Sequence, residues 1–258
     1  MNPFIERYEQ LVATPELAKL FRDSGFFNVG LWSPGTGSAI DAARALTDRV
    51  VGELPAAGRV LEIACGAGGP TRRAHELRPQ LEWLACDLSL PRLVQASRRA
   101  PGARFFCAEA DRLPFASRHF DAVVAIEAAF HFPSRAAFLT EARRVLRPGG
   151  VLVLTDLVLS SAAAVGPWMV PEVNLVADRE RYAAVFPAAG FEAPQIVDWT
   201  EVCWRSFLRF LAARDERREE AGELDAAGRD AARDRHQALA TEGVVGYFLV
   251  SARCPAAS

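Results

Sequence analysis

The sequence predicts an α/β fold: a mostly parallel sheet with helices packed on both faces. Short apolar runs alternate with stretches of helical spacing from Arg59 to Asp156, and the runs are apolar at nearly every position, as in strands buried on both faces. RVLEIA (59–64) is the first strand, and it ends in a Gly-rich turn with a helical stretch after Thr71. LEWLAC (81–86) is the second, with Asp87 just past it and a helix starting near Pro91, where proline suits the first turn. ARFFCA (103–108) follows, then the loop ADRLPFASRHF and the strand DAVVAIE (121–127). Ser134 to Leu146 has helical spacing, with Phe138, Leu139, Ala142, Val145 and Leu146 on one side. Pro148-Gly149-Gly150 stops that helix, and VLVLTD (151–156) is the fifth strand.

The flanks are less regular. Residues up to about 52 read as amphipathic helix, interrupted by the turn-rich LWSPGTGS (31–38). Residues 157–180 read as a loop or small cap, and Tyr182 to Ala189 as a helix ended by Gly190. APQIVDWTEV (193–202) and GYFLVSARC (246–254) read as strands, which brings the sheet to seven. Between them CWRSFLRFLAA is amphipathic, and Arg214 to Arg235 reads as a solvated helix face dense in both charge signs. There is no repeat or low-complexity tract, so the expectation is one domain.

Composition narrows the function classes. Half of the 258 residues are hydrophobic, which a disordered chain would not carry. A formal charge of −2 and a pI near 6.1 leave no broad basic footprint for nucleic acid. No apolar run approaches a membrane span, and Glu6, Arg7 and Glu9 stand where a signal peptide would need apolar residues, so a cytoplasmic protein is expected. Five cysteines is an odd count, read as reduced thiols; Cys65, Cys86 and Cys107 fall at strand ends but lack metal-ligand spacing, so no metal is expected.

The strongest chemical signal is EIACGAGG (62–69), directly after a strand and before a helix. Gly66, Gly68 and Gly69 let a ligand approach the backbone, and the helix N-terminus favours an anionic group. Alone, such a loop suits NAD, FAD or S-adenosylmethionine (SAM). Asp87, about 20 residues on, is placed to accept both hydroxyls of a ribose, or to cap the helix behind it. The turn reads A-x-G-x-G at Ala64, Gly66 and Gly68 rather than the G-x-G-x-x-G that carries a pyrophosphate, and Glu62 supplies an acidic neighbour for a methionine ammonium.

In sequence order, VLEIACGAGG, ACDLS (85–89), AEADRLPF (108–115), HFDAVVAIEAAFHF (119–132) and RVLRPGGVLVLTD (144–156) make the chain resemble the class I SAM-dependent methyltransferases. Within that class it is most similar to the small-molecule branch of ubiquinone, sterol and natural-product sugar methyltransferases. The resemblance implies a doubly wound, Rossmann-like sheet with N-terminal helices and a helical cap. It divides the single domain into an N-terminal lid (1–52), a cofactor core (53–156), a cap and substrate region (157–245) and a last strand and tail (246–258). It also implies SAM contacts: Gly66 and Gly68 along the methionine and ribose, Glu62 near the ammonium, and Asp87 on the ribose. Leu88 would lie against the adenine, Glu109 and Ala110 at its edge, and Glu127 under the sulfonium or at the substrate mouth. Ala64 departs from the usual first glycine and Glu109 from the usual aspartate.

A hydroxyl acceptor needs its proton removed, and histidine is the natural base. His131, past the fourth strand, and Asp156, past the fifth, match the base and its orienting partner in the sugar O-methyltransferases. The alternative is carbon methylation with Glu127 as base and Phe130, Phe132, Trp168 or Tyr182 facing a carbocation. A partner subunit that binds SAM without chemistry is the other class. FFNVGLW (26–32) resembles the branch's closing segment, which makes Phe27, Asn28 and Trp32 expected contacts; Trp168, Met169 and Asn174 are the candidates from the cap. Aromatics at such spacings also pack simply as core. The expected acceptor is a small, apolar organic molecule, with no nucleic-acid or membrane partner; the oligomeric state is not legible.

Overall fold

Consecutive residues of the central strands point into two different apolar cores, which is why those strands read as unbroken apolar runs. The computed structural model describes residues 3–161, 169–238 and 243–256. β1 (Gly58–Ile63), β2 (Leu81–Asp87), β3 (Arg104–Cys107), β4 (Phe120–Ile126) and β5 (Leu146–Leu159) are parallel to one another. β6 (Gln195–Asp198) and β7 (Val244–Arg253) complete seven strands in the order β3-β2-β1-β4-β5-β7-β6, with β7 antiparallel to both neighbours. On one face Val60, Ala122, Val124 and Val153 pack with α3 (Ala39–Gly52), α4 (Gly69–Leu77) and α5 (Leu90–Arg99). On the other, Leu61, Val123, Leu152 and Leu154 pack with α6 (Arg135–Val145) and α7 (Arg179–Ala188). This is the mostly parallel, doubly wound sheet expected. Its strand order reverses between β1 and β4, and ligands of such sheets bind at that crevice.

Local chemistry starts the helices where side-chain oxygens can cap them. Ser38, Ser89, Ser134 and Asp178 accept backbone N–H groups at the first turns of α3, α5, α6 and α7. Two shorter helices, α1 (Pro3–Val12) and α2 (Pro15–Phe21), precede α3, and α8 (Ser206–Glu220) and α9 (Ala226–Ala238) lie between β6 and β7.

Three expectations are corrected. The strand read over 193–202 stops at Asp198, whose carboxylate accepts the Thr200 N–H (2.8 Å), and a π-helical turn, Thr200–Arg205, leads into α8. The buried residues there, Trp199, Cys203 and Trp204, follow helical rather than alternating spacing. The fifth strand begins at Leu146 and runs through Pro148-Gly149-Gly150, with a pairing irregularity between Phe120 and Ala122 absorbing the extra residues. The charged stretch is broken at Gly222 (φ +70°), and Asp215 is buried beside Arg214 and Arg218 rather than solvated. Cys65 and Cys86 are buried free thiols, whereas Cys107 is exposed. Among the described residues no group of acids, histidines and cysteines could hold a metal, and no helix is long and apolar enough to cross a membrane.

Candidate active site

The loop after β1 is shaped by left-handed backbone. Ala64 (φ +59°), Gly66 (+54°) and Gly68 (+79°) all adopt it, and at Ala64 this costs on the order of 1–2 kcal/mol that glycine would escape. Gly68 is required by packing: a Cβ there would sit 2.8 Å from the Ala96 backbone of α5. A Cβ on Gly66 would meet nothing within 4 Å, because that side of the loop opens into a cavity.

Two acids stand at the strand ends beside this loop. Asp87 accepts the Gly66 N–H through Oδ2 and the Ser89 N–H through Oδ1, both at 2.8 Å, so it ties the β1 and β2 loops together. Ser89, not Asp87, caps α5. Burial raises the Asp87 pKa while the two amides hold it down, and a carboxylate with two such bonds keeps lone pairs for further donors. Glu62 is buried and accepts the Trp83 indole N–H (2.9 Å); burial pushes its pKa up to about 7.

A cavity of about 400 Å³ unites most of the expected residues. Glu62, Ala64, Gly66, Asp87 and Leu88 line one side, with Glu109 and Ala110 from the loop after β3. Glu127 and His131 enter from the end of β4, and Phe27 and Asn28 from the segment after α2. His131 ends a 3₁₀ turn (Ala129–His131), half-buried, with its ring 4.1 Å from Phe130 and edge-on to Tyr8 at 6.0 Å. Glu127 holds a left-handed conformation (φ +51°). Its carboxylate accepts the Val29 N–H (2.9 and 3.0 Å to the two oxygens) and the Tyr247 hydroxyl (2.7 Å), and burial pushes its pKa up to about 8.

Other expected residues lie elsewhere. Gly68 packs beneath α5 rather than lining the cavity. Trp32 turns away, donating its indole N–H to Val29 O (2.7 Å) and packing on Phe210 of α8. Phe130 is buried in the core, and Trp168 lies outside the described residues. Asp156 is engaged in the core. It is fully buried, and its carboxylate accepts Arg135 Nε (2.8 Å) and the Tyr182 hydroxyl (3.0 Å), because those donors satisfy its charge in the core. Asn174 is also buried, bonded to Arg135 and to the carbonyls flanking His131, and does not line the cavity. Residues that sequence reasoning missed come from distant elements: Tyr8 of α1 and Arg92 of α5 line the cavity, with Arg92 over the Tyr8 ring (5.1 Å) and paired with Glu9 (2.8 Å). A tyrosine on an amphipathic N-terminal helix was the available signal.

The cavity suits a cofactor with hydroxyl and ammonium donors. Its carboxylates answer such donors, Gly66 opens to it without a side chain, and Asn28 Oδ1 is buried at its wall with no hydrogen-bond partner among the described residues.

Comparison with known proteins agrees. A sequence family described as a methyltransferase domain matches residues 61–154. The 27-O-demethylrifamycin SV methyltransferase of Amycolatopsis mediterranei (strain S699) is 31% identical over 249 residues, covering 88% of this chain and 89% of that protein. A phthiotriol/phenolphthiotriol dimycocerosates methyltransferase of Mycobacterium leprae (strain TN) is 34% identical over 158 residues, 59% of this chain and 58% of the relative. Among solved structures, the [4+2]-cyclase SpnF superposes with a TM-score of 0.76 at 25% identity, covering 98% of this chain and 96% of that one. With near full-length similarity to a methyltransferase, the matched domain and the cofactor crevice at the sheet's switch point, the chain belongs to the SAM-dependent methyltransferases, in their small-molecule branch.

Proposed function

We propose that this enzyme methylates a hydroxyl of an apolar small molecule, with His131 as general base. The observation that carries the reading is that His131 lines the same cavity as Gly66 and Asp87, flanked by the apolar side chains of Ile5, Phe27, Phe132 and Pro171. The name of the near full-length relative, 27-O-demethylrifamycin SV methyltransferase, supports an oxygen acceptor. Bound SAM supplies an activated methyl group on its sulfonium. Asp87 would hold the ribose hydroxyls, Glu62 the ammonium, and Glu109 with Ala110 the adenine edge. His131 would take the acceptor's O–H proton as the O–CH3 bond forms and the S–CH3 bond breaks, leaving S-adenosylhomocysteine, and the apolar walls would keep water from competing. Glu127, the base of the carbon-methylation alternative, accepts the Val29 N–H and the Tyr247 hydroxyl, which anchor its carboxylate at the cavity wall. We read the chain as one cytoplasmic domain with residues 1–52 as lid, 53–156 as cofactor core and 157–245 as cap.

The test uses 27-O-demethylrifamycin SV as first acceptor, followed by other hydroxylated apolar metabolites, with methyl-labelled SAM. Turnover by His131→Ala at saturating acceptor should fall about a hundredfold or more, with S-adenosylhomocysteine affinity unchanged in calorimetry. Full activity in that variant would remove His131 as the base.

A further inference from the structure

A buried polar chain ends on the backbone of the two residues that flank His131. The 3₁₀ turn that carries this residue makes two weak-geometry bonds of its own, His131 N–H to Ala128 O (2.9 Å) and Phe132 N–H to Ala129 O (3.3 Å). The carbonyls on either side, Phe130 O and Phe132 O, both accept from one amide, Asn174 Nδ2, at 3.3 and 2.7 Å. Phe130 O belongs to the peptide plane before His131 and the Phe132 N–H bonded to Ala129 O to the plane after it; with Phe132 O, one plane further on, tied to the same amide, the backbone dihedrals around His131 are restrained, and with them the direction of its side chain.

Asn174 is itself anchored at its other end. Its Oδ1 accepts the Arg135 N–H (2.7 Å) and its main-chain oxygen accepts Arg135 Nη1 (2.6 Å). Arg135 Nε reaches Asp156 (2.8 Å), and Tyr182 donates to the same carboxylate oxygen (3.0 Å). Asn174, Arg135, Asp156 and Tyr182 are all at most 3% exposed. A buried Arg–Asp pair is weak support for stability, because desolvation offsets most of its Coulomb gain. A chain of such groups that terminates on the turn carrying His131 has a positional use that a stability role alone does not supply.

We infer that Asn174 is a positioning residue for His131, and that Arg135 and Asp156 act through it. Asp156 thereby orients the histidine through Arg135 and Asn174. Any catalytic consequence rests on the general-base reading above, but the orientation itself does not.

The experiment is imidazole NMR on the full chain with labelled histidine, which is tractable with four histidines; His131 is assigned by its loss in His131→Gln. In Asn174→Asp, where carbonyl-facing donors become an oxygen, the His131 signal should shift by more than its linewidth or split, while those of His75 and His119 stay in place. Asn174→Ser, which shortens the side chain without adding charge, gives the same readout if the aspartate variant does not fold. An unmoved His131 signal in a folded variant overturns the inference. Once an acceptor is in hand, turnover at saturation should fall about tenfold, with KM and S-adenosylhomocysteine affinity nearly unchanged. A His131→Ala/Asn174→Ser double variant should be no slower than His131→Ala alone; multiplicative losses would place Asn174's effect elsewhere. If His131→Ala is fully active while the NMR shift is present, the base role fails and the positioning stands.

Discussion

Asp87 engages both carboxylate oxygens with backbone amides, and that is how one side chain shapes the cofactor loop and still faces the cavity. Asp87→Ala should therefore weaken S-adenosylhomocysteine binding by more than about 1 kcal/mol, roughly fivefold. Calorimetry showing unchanged affinity would take Asp87 out of the site. Glu127 and Glu62 make a second prediction, since burial lifts them to about 8 and about 7 from an ordinary 4.5. A carboxyl with a raised folded pKa binds its proton more tightly folded than unfolded. Its contribution is complete below the ordinary value and is lost as pH climbs through the folded one. The ligand-free protein should accordingly melt lower at about pH 8 than at about pH 5, and Glu127→Gln should flatten that slope. A wild-type Tm rising across this window would contradict it. At this scale the sequence was most legible where spacing is local: Glu62, Gly66 and Asp87 follow from strand ends and turns. The partners of Asp156, Arg135 and Tyr182, were not legible, because a position at a strand end says nothing of which donors the core supplies.

Among the elements, the expected closing segment over 26–32 is pinned rather than loose. Val29 is bonded to Glu127, the Trp32 N–H to Val202 O (2.9 Å), and its ring packs on Phe210. α1 covers the cavity with Tyr8 and is fastened at Glu9, whose carboxylate takes Arg92 Nε and Nη2 (2.8 and 3.1 Å) and the Ser89 hydroxyl (2.9 Å). Such a fork-to-carboxylate pair, half-shielded by the helix, is stronger than an open surface pair. Glu9→Gln should loosen α1 and speed S-adenosylhomocysteine release severalfold, with association little changed. Stopped-flow displacement with an unaltered release rate would show that α1 does not gate the site. The amphipathic pattern made α1 legible as a helix, but the docking of one helix edge on α5 has no signature within either segment.

On the scale of the whole molecule, two apolar cores hold a seven-stranded sheet whose switch point is the cavity. Ligand binding there should stabilise the entire fold, by about 2.7 kcal/mol for S-adenosylhomocysteine at a hundred times its Kd. For a chain of this size that corresponds to a Tm rise of roughly 5–10 °C, with no rise for NADH. A shift with NADH alone would contradict the cofactor assignment. The sequence by itself determined the sheet, its flanking helices and the strand-end residues that line the cavity, because apolar periodicity, capping serines and Gly turns act between near neighbours. The tertiary structure alone decided the His131 side of the cavity. Arg135 with Asp156, Asn174 with Phe132 and Tyr247 with Glu127 join residues 21, 42 and 120 positions apart. Buried polar groups take whichever partner the packed core brings within hydrogen-bond reach, and that is settled only when the layers close.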